Sequence, residues 1–292
     1  MKPRTFAIIG CGKVGVTLAW HLAHIGYVPA GFASRRSASA HAAAESAGGG
    51  RVCRDPWDAA ADADVVFITT PDATIASVAE HLAARGGVKR GAVVLHCSGA
   101  LSSTILAAVR RCGAHAGSLH PLQSFAAPTF PDNPFRGIIM AGEGDDKALA
   151  LAKEMASGLQ AEFLPIETEN KTLYHAAAVV ASNYLVTLLA ASSRLLEGSG
   201  IAPEKTLKVL LPLVRGTLNN IEKRGVVEAL TGPIARGDRG TVESHCRKIR
   251  ETLPDLLPFY QLLGTYTLPL AEAGGDVDAG KLHDLAALLK MR

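Results

Sequence analysis

The sequence predicts an α/β fold in which a doubly wound, mostly parallel sheet is followed by an all-helical C-terminal domain, and three observations predict it. Short β-branched runs alternate with alanine-rich helical stretches through the first half, the pattern of repeated strand–helix–strand units. A glycine-rich turn, Gly10-Cys11-Gly12-Lys13-Val14-Gly15, directly follows the first apolar run. Beyond about residue 167 the strand signal stops and helical periodicity, punctuated by Gly and Pro, takes over. At 292 residues the chain exceeds what one hydrophobic core usually supports, so two domains are expected, 1–167 and 168–292.

Strands are predicted at Thr5–Ile9, Val28–Ala33, Arg51–Cys53, Val65–Thr69, Ala92–His96, His115–Leu119, Gly137–Ala141 and Glu162–Ile166. Between them Val14–Ile25, Ala73–Ala84, Ser103–Arg111 and Lys147–Leu159 carry apolar residues at three- and four-residue spacing, as helices packed on a sheet do. Alanine makes Ser37–Gly50 helical until Gly48, Gly49 and Gly50 end it. The second domain predicts helices at Asn170–Leu196, Pro203–Gly216, Gly240–Thr252, Leu256–Glu272 and Ala279–Lys290. Pro203-Glu204 is a helix start, with proline in the first turn and an acid favourable to the dipole. The apolar run Ala176–Ala191 is interrupted by Ser182, Asn183 and Thr187 and is shorter than the ~20 residues of a membrane span. It reads as a buried helix.

Hydrophobic residues make up 48% and charged residues 20% of the chain, a balance that excludes disorder. The net charge is only +3, without a Lys/Arg run interleaved with aromatics, which argues against nucleic acid as a partner. Cys11, Cys53, Cys97, Cys112 and Cys246 are odd in number and scattered, which argues against a disulfide framework and a zinc site. A reducing cytoplasm and no metal are expected. The opening MKPRTFAIIGCG reads as a strand entering a loop rather than as a secretory leader.

The strand–GxGxxG–helix context predicts a Rossmann dinucleotide site. Gly10 permits the tight turn, Gly12 lets backbone approach a pyrophosphate and Gly15 allows close helix–strand packing, with Cys11, Lys13 and Val14 completing the loop. A plain glycine turn is the alternative. About 20 residues further on, where an acid would bind the ribose 2′-hydroxyl of NAD, the chain reads Ser34-Arg35-Arg36-Ser37. Two guanidinium groups and two hydroxyls suit a 2′-phosphate, so the expected cofactor is NADP (NADPH); a solvated basic loop is the competing reading. In Thr69-Thr70-Pro71-Asp72, Thr70 and Pro71 are expected along the cofactor and Asp72 as a cap of the next helix.

Hydride chemistry leaves the protein to supply orientation and a proton. His120, beside Pro121 at a strand end, is the expected proton-exchanging group because imidazole titrates near neutral pH. Ser98, at the preceding strand end, is expected to orient it or the substrate, or else to cap a helix starting near Ser102. Lys171, Tyr174 and His175 share one helical face by their spacing. Lys171 and His175 are expected at the substrate, the alternative being a solvated lysine and a satisfied core histidine. Gln123, Asn183 and Arg236 are further substrate-binding candidates. Arg236 lies in the compact loop Thr231-Gly232-Pro233-Ile234-Ala235-Arg236-Gly237-Asp238, where pairing with Asp238 is the other reading.

GCGKVG, the TTPD turn, HCSGALS, HPLQSF, LYHAAAVVASNY and LTGPIARGD together resemble the two-domain family with a Rossmann-like domain and a helical domain of unknown function 2520. The resemblance covers nearly the whole chain. That family is similar to the larger group with a 6-phosphogluconate-dehydrogenase-like helical C-terminal domain, which includes pyrroline-5-carboxylate reductase, hydroxyacid dehydrogenases and prephenate dehydrogenase. The resemblance implies NADP binding, a homodimer formed through the helices, and hydride transfer to or from a small carbonyl, imine or alcohol. Prephenate dehydrogenases carry a Ser after one strand and a His-Pro after the next, matching Ser98 and His120-Pro121. Hydroxyacid dehydrogenases resemble the chain at Lys171, but the Asn they carry four residues on is His175 here. A dinucleotide-responsive regulatory protein without catalysis and a deazaflavin-dependent NADP reductase are the alternatives.

Overall fold

A computed structural model describes residues 3–290. Its strands are β1 (Thr5–Ile9), β2 (Val28–Ala33), β3 (Arg51–Cys53), β4 (Val65–Ile68), β5 (Val93–His96), β6 (His115–Pro121), β7 (Ile139–Gly144) and β8 (Glu162–Pro165). They form one sheet in the order β3-β2-β1-β4-β5-β6-β7-β8, and every pairing is parallel except β6 with β7. The predicted doubly wound, mostly parallel sheet is therefore present.

The helices are α1 (Lys13–His24), α2 (Ser37–Ser46), α3 (Pro56–Ala60), α4 (Asp72–Ala84), α5 (Ala107–Arg111), α6 (Asp146–Gly158), α7 (Lys171–Gly198), α8 (Pro203–Glu228), α9 (Arg239–Thr252), α10 (Leu257–Gly274) and α11 (Ala279–Leu289). Because side chains alternate along a strand, β1 and β4 feed two apolar layers. Phe6, Ile8 and Phe67 pack with Leu18 and Leu22 of α1 and Met155 of α6. Ala7, Ile9, Val66 and Ile68 pack on the other side with Ile75 and Leu82 of α4 and Val109 of α5. The short helix α3 was not expected; it starts with Pro56 in its first turn, where proline's fixed φ favours a helix.

The chain divides into two compact units, residues 1–182 and 183–292. The last strand ends at Pro165, close to the change of composition near 167, while the first turns of α7 group with the sheet. The second unit is helical, with small cores around Val242, Cys246, Leu285 and Leu289 and around Ala191, Ile249 and Leu256. Helix α8 runs past the predicted end at Gly216 to Glu228, with a break at Gly225, where φ is +79°. A single interior glycine costs a helix only about 1 kcal/mol, which the flanking helix-forming residues outweigh.

One expectation is corrected. The run Ala176–Ala191 is helical but not buried: Val180, Tyr184 and Val186 are exposed, and Ala191 is the residue of the run that falls below the surface. By length and composition, Thr168–Gly198 is also apolar enough to cross a membrane. An apolar run shows that a surface seeks cover, but not that the same chain provides it.

Candidate functional site

The parallel order of β1, β4, β5 and β6 brings their carboxyl ends to one edge, and the candidate residues of the first unit follow those ends. At the end of β1, Gly10 has φ +102°, and its N–H donates to the Ala33 carbonyl at 2.8 Å. A Cβ on Gly10 would lie 2.6 Å from Thr70 N, and one on Gly15 would lie 2.3 Å from the Gly10 carbonyl oxygen. Both positions therefore exclude side chains. A Cβ on Gly12 would meet nothing within 4 Å, and no side chain caps the start of α1, so open space faces the first-turn N–H groups that a helix leaves free.

That cradle fits a dinucleotide diphosphate. Beside it, Thr70 Oγ1 is buried without a hydrogen-bond partner, and Pro71 is exposed at the same turn. Lys13 is exposed and Val14 partly buried, whereas the Cys11 thiol points at the Ala33 carbonyl and burial pushes it up to about 12. Beyond β2, Ser34 is half-buried and Arg35, Arg36 and Ser37 are exposed. Neither arginine makes an ion pair among the described residues.

The second half of the edge gathers His120, Ser98, Tyr174 and His175. His120 Nδ1 and the Tyr174 hydroxyl are joined by a 3.0 Å hydrogen bond, and the His120 and His175 ring centroids are 6.0 Å apart. Gly99 makes the approach possible. A Cβ there would lie 2.5 Å from His175 Nδ1 and 2.9 Å from His120 Nε2. Burial, with help from the Lys171 ammonium and His175, lowers the His120 pKa to about 4, so its ring is neutral near pH 7. Burial likewise lowers buried His96 to about 4 and pushes the Cys97 thiol up to about 12, which makes that thiol unreactive.

Ser98 donates to Asp72 Oδ2 at 2.8 Å and accepts from the Ala100 and Leu101 N–H groups at 3.2 and 3.0 Å. Asp72 thus does not cap α4, which has no side-chain cap. Its carboxylate holds the Ser98 hydroxyl instead.

Below these groups lies an ion pair that the sequence reading missed. Lys171 Nζ donates to Ser118 Oγ and sits 3.4 Å from Glu143 Oε1, with both charged side chains 1% exposed. Glu143 also accepts from Ser118 Oγ at 2.7 Å, from Ser103 N and Oγ at 2.8 Å each, and from Thr168 Oγ1 at 3.1 Å. Burial raises the Glu143 pKa, but these donors and Lys171 outweigh it and leave the carboxyl below its ordinary value. Burial lowers Lys171, opposed by Glu143. The available signal was a single carboxylate inside the apolar run IMAGEG of β7, which demands a cation when buried.

The remaining candidates lie on exposed surface. Gln123 is exposed, its Oε1 accepting from Ser124 N at 2.8 Å. Asn183 and Arg236, in the second unit, are exposed. Asp238 caps α9 through Thr241 N and Oγ1 at 3.0 and 2.7 Å. It makes no ion pair with Arg236 among the described residues. A cavity of about 610 Å³ opens elsewhere, at the amino edge of the sheet, between Arg4–Glu154 and Lys89–Asp64 pairs.

Comparison with known proteins bears on the family and the fold. Residues 2–121 match the family described as a Rossmann-like domain, and residues 138–267 match the family described as domain of unknown function 2520. No curated protein matches the chain. Among solved structures, protein TM1727 from Thermotoga maritima is similar at 31% identity and TM-score 0.71, over 92% of this chain and 98% of that one. A Bacteroides fragilis protein provisionally named an NADP oxidoreductase is similar at 22% identity and TM-score 0.72, over 94% and 99%. A reductive aminase from Aspergillus terreus, solved with NADPH and ethyl levulinate, shares the fold at 17% identity and TM-score 0.65, over 97% and 99%.

Proposed function

Because this chain belongs to the two-domain family in which a Rossmann-like domain precedes the domain of unknown function 2520, we propose that it is an NADP-dependent oxidoreductase acting on a small carbonyl, imine or alcohol. One observation carries the reading: an open glycine cradle and a neutral imidazole bonded to a phenol lie at the same carboxyl edge of the sheet. Ligands of open α/β sheets bind at that edge. Backbone N–H groups of Gly10–Gly15 would hold the diphosphate and Thr70 and Pro71 the adjoining ribose. Arg35 and Arg36, with Ser34 and Ser37, would take the 2′-phosphate. The nicotinamide, when bound, supplies or accepts the hydride.

His120 then exchanges the proton. In the oxidising direction its free Nε2 takes a proton from an alcohol or amine, and in the reducing direction it returns one. Tyr174 is both donor and acceptor, so it satisfies Nδ1 whether Nε2 is bare or protonated. Ser98, aimed by Asp72, and His175 orient the substrate. Gln123, Asn183 and Arg236 are kept as proposed substrate-binding residues.

We also infer a cytoplasmic homodimer. The exposed Val186 of α7, Leu213 of α8 and Tyr266 of α10 form apolar surface suited to a second copy, and Lys171 and Tyr174 tie the start of α7 to β6 rather than leaving it for lipid.

Calorimetry with NADP and NAD, followed by NADPH oxidation across keto acids, aldehydes and imines, tests the reading. Saturable NADP binding with turnover of one class is expected. Binding without any turnover favours a regulatory protein, and no binding of either dinucleotide overturns the proposal. Changing both Arg35 and Arg36 to Ala is expected to weaken NADP about tenfold or more while leaving NAD unchanged, since each charge-assisted bond contributes about 1.5–3 kcal/mol.

A further inference from the structure

We propose that Lys171 is a positioning residue: paired with Glu143 and Ser118, it fixes Tyr174 and His175 against His120, and it does not itself give a proton to substrate. The proposal rests on His120 being the proton-exchanging group.

Two rungs join α7 to β6. Ser118 and His120 are two apart on the strand, about 6.6 Å, and Lys171 and Tyr174 are three apart on the helix, about 4.5 Å. The long side chains of Lys171 and Tyr174 span the difference. Lys171 meets Ser118 on one rung, and Tyr174 meets His120 at 3.0 Å on the next. The lower rung is anchored from three further directions. Glu143 faces Ser118 in the antiparallel register of β6 and β7, and Ser103 and Thr168 donate to the same carboxylate. With its acceptor positions filled, Glu143 cannot swing away, and Lys171, 1% exposed, does not open onto the space that a substrate would enter.

The charges around His120 come from three elements. From α7 come Lys171, His175 and the uncharged phenol of Tyr174; β5 gives His96 and α4 gives Asp72. Asp72 opposes the lysine but is exposed to water, which screens it, whereas the ammonium acts through protein. Burial is the main cause of the low pKa of His120, and Lys171 is the fixed cation that adds to it.

NMR titration of the full-length protein with 15N-labelled histidine reads the His120 midpoint and tautomer without substrate or cofactor. The double variant Lys171→Met/Glu143→Gln removes both charges, so that no bare ion remains in the core. Its His120 midpoint is expected to rise by about one pH unit, with loss of the Nδ1 hydrogen-bond signature. Retention of the Nδ1 hydrogen-bond signature in the folded double variant overturns the proposal. A wild-type measurement covers the case in which that variant fails to fold. On reductive methylation with formaldehyde and cyanoborohydride, peptide mass spectrometry should find exposed Lys13 modified and Lys171 intact. Stoichiometric methylation of Lys171 in the native protein also overturns it. Neither experiment needs a bound dinucleotide, so a protein that fails to bind NADP removes the proposed activity while both still report on Lys171.

Discussion

At the scale of single residues, the environment of His120 sets two expectations. Replacing it with Ala should lower turnover about 100-fold or more, as loss of a proton-transferring group does, while NADP affinity by calorimetry stays near wild type. The second concerns pH. His120 and His96 titrate at about 4 when folded and near 6.5 when unfolded. Between those values the unfolded chain binds more protons, so unfolding free energy should fall as pH drops from about 6.5 to 4. Denaturant titrations at several pH values check this, and His96→Gln should flatten the slope. His120 and Ser98 could be read from the chain because polar groups at strand ends in an α/β pattern point to the carboxyl edge. The partner of the lone carboxylate Glu143 could not, because Lys171 lies 28 positions away and only the fold brings the two together.

At the scale of elements, the glycine turn offers a contrast between two substitutions. Gly12→Ala should leave the thermal midpoint unchanged, since a Cβ there meets nothing within 4 Å, yet weaken NADP binding by filling the space for the diphosphate. Gly15→Ala should lower the midpoint as well, because its methyl would press on the Gly10 carbonyl at 2.3 Å and backbone cannot yield as a flexible side chain can. Differential scanning calorimetry and isothermal titration separate the two. Strand positions were legible because short branched runs between glycines have few other uses. Helix ends were less so: Gly216 read as a stop, while the helix passes through it. The surroundings of α7 could not be read at all, since an apolar stripe is the same whether it packs inside one chain or between two.

At the scale of the molecule, covering that stripe with a second copy predicts an association that charge would break. Val186→Glu with Leu213→Glu, both at positions 68% exposed, should shift sedimentation from dimer to monomer while helix content by circular dichroism persists. A sedimentation profile identical to wild type would argue against that surface. The Lys171–Glu143 pair also governs where the polypeptide can be divided. A fragment cut at the compositional seam, 1–167, would strand the Glu143 carboxylate in the sheet without its counter-ion, a loss of about 3–5 kcal/mol for breaking a buried pair. Extending the fragment to residue 182, the end of the first compact unit, restores the cation. Anyone dissecting this protein should therefore find the shorter piece insoluble or readily digested and the longer one competent to fold, so that the severable joint lies partway along a continuous helix.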